Sequence, residues 1–218
     1  MRFWEARHQK ISTVTNKEGI VIRIFLLILS VNFLTACGLG GGSVPQDHYY
    51  KLPALDINAQ PEPRFEQLVI KPVKATGLYH DRAILYIEQD KPLELKRYHY
   101  NFWSETPANL LHNALFQGLS RSAISKNISH DINASRPDYI IESRLVSFER
   151  QIQKNNVTIQ VALDISVRSG YDVSDQWTKR YSSQKKLVST AMHPSAEAFG
   201  AAVQDICEQL INDLLVKN

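Results

Sequence analysis

Val157-Thr158-Ile159-Gln160-Val161-Ala162-Leu163-Asp164-Ile165-Ser166-Val167-Arg168 alternates without a break. Six branched or long aliphatic residues share one side of an extended chain, and Thr, Gln, Ala, Asp, Ser and Arg share the other. Successive side chains of a strand point to opposite faces, so this pattern predicts a strand with one buried face and one wetter face. Antiparallel sheets covered on one side behave in this way. Turn residues flank it. Lys154-Asn155-Asn156 joins it to an apolar run from Tyr139 to Phe148, and Ser169-Gly170-Tyr171-Asp172 joins it to the segment from Trp177 to Val188. The three make a long antiparallel meander.

Shorter strands precede the meander. Tyr49-Tyr50-Lys51-Leu52 reads as one, ended by Pro53. Leu68-Val69-Ile70 reads as a buried one, ended near Pro72. Ala83 to Ile87 and Leu93 to Tyr100 read as a pair joined by the turn Asp90-Lys91-Pro92. The period then changes from two to three-and-four. Thr106 is placed to cap a helix with Pro107 in its first turn, where a missing N–H costs nothing. Leu110, Leu111, Ala114, Leu115, Gly118 and Leu119 form its apolar stripe, with an end near Ser120 to Ser122. A last helix starts at Pro194, capped by Ser195 or His193, and buries Phe199, Ala202, Val203, Ile206, Leu210 and Leu214, with Cys207 at the border. The fold class expected is α/β of the α+β kind. It is a mostly antiparallel sheet with two helices on one face, in the order β-β-β-β-α-β-β-β-α.

The front of the chain differs in kind. Arg2, Arg7, Lys10, Lys17 and Arg23 precede an apolar run from Ile24 to Leu34, the pattern of an export leader. The run is too short for a comfortable membrane span, which needs about 20 apolar residues. Leu34-Thr35-Ala36-Cys37-Gly38 follows and resembles the lipobox of bacterial lipoproteins, in which a lipidated cysteine becomes the first mature residue. The expected organisation is a leader over 1–36, a lipidated Cys37 and flexible Gly/Ser tether over 37–47, and one domain over 48–218. Gly38, rather than Asp, after Cys37 resembles the pattern of lipoproteins released to the outer membrane.

Charge narrows the function classes. The formal net charge of +3 resides wholly in the leader, and residues 37–218 carry 20 basic and 20 acidic residues. A nucleic-acid partner calls for a concentrated positive field, so none is expected. Cys207 is the one cysteine besides Cys37, which leaves no disulfide and no cysteine metal site in a lipidated chain. There is no G-x-S-x-G elbow, no H-E-x-x-H motif and no phosphate-binding glycine loop. His80, His99, His112, His130 and His193 are scattered. No enzyme activity, cofactor or metal is expected.

Several strings together carry a family resemblance: Tyr49-Tyr50-Lys51-Leu52-Pro53, Gly77-Leu78-Tyr79-His80-Asp81-Arg82-Ala83-Ile84-Leu85-Tyr86, Tyr98-His99-Tyr100 with Trp103, Thr106-Pro107-Ala108-Asn109-Leu110-Leu111, and Phe148-Glu149-Arg150. They resemble the ABC-type transport auxiliary lipoproteins over residues 37–218. The resemblance implies a non-enzymatic component of an envelope-spanning lipid-transport machine, anchored in the outer membrane through acylated Cys37 and facing the periplasm. It also implies an MCE-domain transport protein as partner, with a ring-shaped partner able to recruit several copies.

Four residues are singled out for partner binding: Tyr79, Asp81, Arg82 and Trp103. Asp81 beside Arg82 suits either a structural turn or a docking surface. Tyr79, Tyr86, Tyr98, Tyr100, Phe102 and Trp103 suit either an interface or the packing of a sheet edge against the first helix. Lys179, Arg180, Lys185 and Lys186 read as a solvated face or a contact for anionic headgroups. Two functions compete with the docking adaptor: a carrier with an apolar groove for an acyl chain, and a structural lipoprotein of another outer-membrane assembly.

Overall fold

The computed structural model describes residues 20, 21, 23, 44–130, 136–172 and 174–216. The chain divides into two compact units, Met1–Pro45 and Gln46–Asn218. In the first, Ile20, Val21 and Arg23 are helical and exposed. Cys37, the rest of the leader and most of the glycine tether lie outside the described residues.

The second unit holds eight strands and two long helices among the described residues. β1 (His48–Tyr50) and β2 (Phe65–Ile70) come first, followed by a single 3-10 turn (Gly77–His80). β3 (Ala83–Glu88) and β4 (Lys96–Trp103) lead into helix α1 (Pro107–Arg121). β5 (Ser125–Ser129), β6 (Tyr139–Gln153), β7 (Asn156–Ser169), β8 (Gln176–Leu187) and helix α2 (Met192–Val216) complete the unit.

β6 organises the sheet. At 15 residues it is about 50 Å long, enough for two shorter strands to lie end to end along one of its edges. β2 occupies one half in parallel, Leu68 to Ile70 against Tyr139 to Ile141, and β3 the other, Leu85 to Glu88 against Glu149 to Ile152. A bridge from Lys74 to Arg144 lies between them. The opposite edge of β6 carries β7 in an antiparallel ladder that runs from Tyr139↔Ser169 to Gln153↔Asn156. β8 continues the meander, pairing from Val157↔Leu187 to Arg168↔Gln176. The outer strands finish the other side. β5 joins β2 in parallel, β4 joins β3 antiparallel, and β1 joins β4 in parallel.

The alternating stretch lies where its pattern places it, in β7. Val157, Ile159, Val161, Leu163, Ile165 and Val167 are all buried, on the face of the sheet that α2 covers. Thr106 accepts a hydrogen bond from the Asn109 N–H and Pro107 opens α1, as the cap chemistry requires. The helices meet closely, since a Cβ at Gly118 would lie 2.5 Å from the Cys207 sulfur.

The structure departs from the sequence pattern at three places. β5 is an additional strand between α1 and β6; Ser125-Lys126-Asn127-Ile128-Ser129 has no buried residue of its own to announce it. The first strand begins at His48 and ends before Leu52. Helix α2 begins at Met192, and the Ser195 hydroxyl does not cap it but donates back to the Ala191 carbonyl at 2.9 Å.

Candidate functional site

Three strands and the 3-10 turn meet at one corner of the sheet. β1 covers only Asn101 to Trp103 of β4, so Arg97 to Tyr100 continue past it with no described strand on that side. Tyr49 on β1 is 55% exposed. Its ring stacks on Phe102 at 5.7 Å, and the Arg82 guanidinium lies 5.6 Å from its centroid. Tyr100 and His99 are exposed beside them.

The 3-10 turn delivers Asp81 and Arg82 to this corner. Gly77 opens it with φ of 60°, a left-handed conformation that suits glycine. Asp81 does not pair with the neighbouring Arg82 side chain. Its carboxylate accepts the Arg82 backbone N–H at 2.6 Å and meets the Arg97 guanidinium at 3.3 Å, which leaves the Arg82 side chain over Tyr49.

Tyr79 points the other way, into the sheet. Its hydroxyl donates to the Glu149 carboxylate at 2.7 Å, and the Phe148 N–H donates to the same oxygen at 2.6 Å. Burial holds Glu149 above the usual carboxylate range against the pull of these donors and of Ser147. Burial, with Glu149 beside it, also raises the Tyr79 hydroxyl above its ordinary value.

Trp103 is 1% exposed and belongs to the core. Its ring meets Phe199 edge-on at 5.0 Å and Phe148 at 5.2 Å. The expectation of Trp103 as a surface contact is corrected in this respect: its backbone N–H donates to the Arg82 carbonyl at 2.7 Å, so it braces the corner from inside. Tyr79, Asp81 and Arg82 are brought together, with Trp103 behind them.

Some buried or paired groups give little sign of their surroundings in the sequence. Arg150, next to Glu149 on β6, is 1% exposed. It donates to the Tyr98 hydroxyl at 2.5 Å, the Thr190 carbonyl at 2.6 Å and the Met192 sulfur at 3.2 Å, so it ties β4 to the start of α2. A buried charge is invisible in a string; here only its position between Phe148 and the apolar Ile152 hints at burial. His112 and His130, distant in sequence, meet at 3.0 Å with Phe116 stacked on His130. Burial and the neighbouring ring lower the His112 pKa.

The basic stretch is largely neutralised. Lys179 pairs with Asp213, Arg180 with Asp164 and Lys185 with Asp205, at 2.6–2.7 Å, whereas Lys186 is exposed. Among the described residues no group of three or more His, Cys, Asp or Glu is placed to hold a metal ion, and no helix is long and apolar enough to cross a membrane. A groove of about 400 Å³ runs between residues 51–55 and α1 and is lined by Lys51, Glu105, Asn113 and Gln117 as well as Leu52 and Leu110.

The fold is a mostly antiparallel sheet with two helices on one face, and Tyr49, Arg82 and Arg97 are exposed together at one corner of it. The chain belongs to the family of ABC-type transport auxiliary lipoprotein components, whose model matches residues 50–211. It is thus an auxiliary component of ABC-type transport. None of the curated proteins is a significant match. The fold is similar to that of a Xanthomonas campestris protein of the family DUF330, with a TM-score of 0.65 and 16% identity over 78% of this chain and 95% of that one. An uncharacterised protein of known crystal structure is similar as well, with a TM-score of 0.62 and 12% identity over 78% of this chain and 99% of that one.

Proposed function

We propose that this domain docks and supports an MCE-type lipid-transport complex at the outer membrane, held there by an acylated Cys37 and facing the periplasm. The observation that carries the reading is the stack of Arg82, Tyr49 and Phe102 where β1 pairs with β4, beside the stretch of β4 that β1 leaves uncovered. Tyrosine and arginine are the residue types that concentrate binding energy at protein interfaces. The Tyr79–Glu149 hydrogen bond ties the 3-10 turn ahead of Arg82 to β6, and a preformed surface lowers the entropic cost of association. Arg97 is paired with Asp81, which leaves the Arg82 guanidinium over the Tyr49 ring as the exposed cation available to an acidic group of the partner. The motifs quoted above also resemble PqiC, the outer-membrane lipoprotein of the paraquat-inducible intermembrane transport system, and that likeness supports an MCE-domain protein as the partner. Several copies of the domain on a ring-shaped partner fit the same arrangement.

The carrier reading has less support. The groove beside α1 mixes Lys51, Glu105, Asn113 and Gln117 with Leu52 and Leu110, so it lacks the continuous apolar wall that suits an acyl chain.

Photo-crosslinking from native membranes tests the docking reading. A crosslinker at position 49 or 100 of the full chain is expected to capture an MCE-domain protein, whereas one at Tyr171, exposed in the β7–β8 turn, is not. Capture of the MCE-domain protein from position 171 alone, or of partners without an MCE domain from 49 and 100, overturns it.

A further inference from the structure

The β3–β4 and β6–β7 turns lie at one end of the sheet, and the chain leaves β8 toward α2 at the same end, because Val157 opposite Leu187 starts the β7–β8 ladder there. Two aliphatic side chains stand almost wholly in solvent at this end: Leu93, 98% exposed, and Val188, 93% exposed. A single exposed leucine is ordinary. Two at one end, set among particular charges and beside the chain's own point of approach, are not.

The charges lean to the basic side. Lys96 lies between Glu88 at 2.6 Å and Glu94 at 3.4 Å and offsets one of these two carboxylates, which leaves the other and Asp90 as the acids of the β3–β4 connection. Lys91, Lys154 and Lys186 are exposed around it, and none of the three is in an ion pair among the described residues. A shallow depression of about 240 Å³ between the two turns is lined by Ile87, Pro92 and Ile152 together with Gln89, Gln151 and Gln153, a surface of mixed character.

The direction of β1 supplies the last observation. It is parallel to β4, so the chain approaches His48 from the side on which β4 begins, the side of the β3–β4 turn. The stretch of β4 between that turn and Asn101, the partner of His48, is about 16 Å long. The ten residues between Cys37 and His48 reach about 33 Å when extended.

We propose that this end of the domain is seated on the surface of a lipid bilayer, with Leu93 and Val188 entering the interface and Lys91, Lys154 and Lys186 meeting anionic headgroups. A side chain with an apolar body and a charged tip is suited to this boundary, and anionic lipid attracts clustered lysines. The inference rests on the reading that Cys37 carries the anchor. It adds an orientation: the lipid anchor and the aliphatic tip are two contacts with one membrane, which is what turns weak single attachments into a stable one.

The test uses the full chain, purified in its acylated form and reconstituted into vesicles of phosphatidylethanolamine and phosphatidylglycerol. Nitroxide labels are placed by Leu93→Cys, Val188→Cys and, at the other end of the sheet, Tyr171→Cys. Cys207 is buried and its thiol is pushed up to about 12, so it does not compete for the label. The expected result is a severalfold higher ratio of oxygen to nickel-chelate collision at 93 and 188 than at 171. Equal ratios at all three positions in chains that float with the vesicles overturn the proposal. Shielding of 93 and 188 from both reagents also overturns it, in favour of a protein contact. Flotation separates the two readings: if the unsubstituted chain fails to float, the anchor falls and the orientation with it, whereas floating chains with wetted tips sink the orientation alone.

Discussion

The Tyr79 hydroxyl donates to the Glu149 carboxylate across 2.7 Å and so joins the 3-10 turn to β6. Replacement by Phe removes one of the donors to a buried carboxylate, and an unsatisfied buried group costs about 1–3 kcal/mol. Tyr79→Phe is therefore expected to lower the urea midpoint at pH 7. The pH dependence has a definite sign. Folded Glu149 titrates above its unfolded value, so the native state binds the extra proton between the two, and stability falls as pH rises through that interval. The protonated acid needs the Tyr79 donor less than the carboxylate does. The gap between Tyr79→Phe and the parent should thus narrow on acidification from pH 7 toward the ordinary carboxylate value. A gap that stays constant or widens contradicts the strut.

Asp164 is a strut of the opposite sense, on the face of the sheet away from the helices. It accepts from Arg180 at 2.7 and 3.0 Å and from Arg144 at 2.8 Å, so one carboxylate staples β6, β7 and β8. Arg180 first, and Arg144 after it, hold its pKa at about 2. A lowered carboxylate contributes stability that is complete above its ordinary value and lost as pH falls toward 2. The guanidiniums are solvent-exposed, so screening limits the contribution to about 1 kcal/mol. Asp164→Asn should cost about that much at pH 7, as read by thermal unfolding, and the difference should disappear near pH 2. High salt should shrink it as well.

The strands around these struts differ in how legible they were. The strict alternation of Val157 to Val167 announced β7 and its burial, because a one-sided core demands that period. Thr106-Pro107 announced α1 for the equally local reason that caps are made within a few residues. Parallel pairing had no such signature. β2 and β3 share one edge of β6, an arrangement set by the length of β6 and not by any residue within β2 or β3. β5 escaped notice since an edge strand with polar neighbours need not bury anything. At the corner itself, Tyr79, Asp81 and Arg82 could be singled out as a polar string, but Asp81 turned out to pair with Arg97, sixteen residues away. Trp103 read equally well as anchor or as core. Which aromatic faces inward depends on Phe148 and Phe199, and those arrive from other elements.

The contact of α1 with α2 at Gly118 and Cys207 is a packing relationship that a paired substitution can isolate. A Cβ at position 118 would stand 2.5 Å from the Cys207 sulfur and 3.2 Å from Leu55. Gly118→Ala alone is expected to destabilise by about 1–3 kcal/mol, the usual cost of overpacking. Combined with Cys207→Ala it should recover part of that loss, since the second change removes the obstructing atom; the residual strain comes from Leu55. A double-mutant cycle in urea measures the coupling, and additive losses would show that the helices separate freely.

The division between surface and support at the corner leads to a prediction about binding. Tyr49 and Arg82 are exposed and stacked, so Tyr49→Ala and Arg82→Ala should leave the unfolding midpoint nearly unchanged. If these side chains are the contact, each should weaken capture of the partner by the energy of an interface hot spot, about 2 kcal/mol or roughly thirtyfold. Trp103→Ala should do the reverse. Emptying a core position between Phe148 and Phe199 costs about 3–5 kcal/mol, and capture should then track the fraction folded at each temperature. Measured side by side, the three variants separate a binding surface from its foundation. Loss of capture in Trp103→Ala under conditions where it remains folded, with no loss in Tyr49→Ala or Arg82→Ala, would move the contact away from this edge.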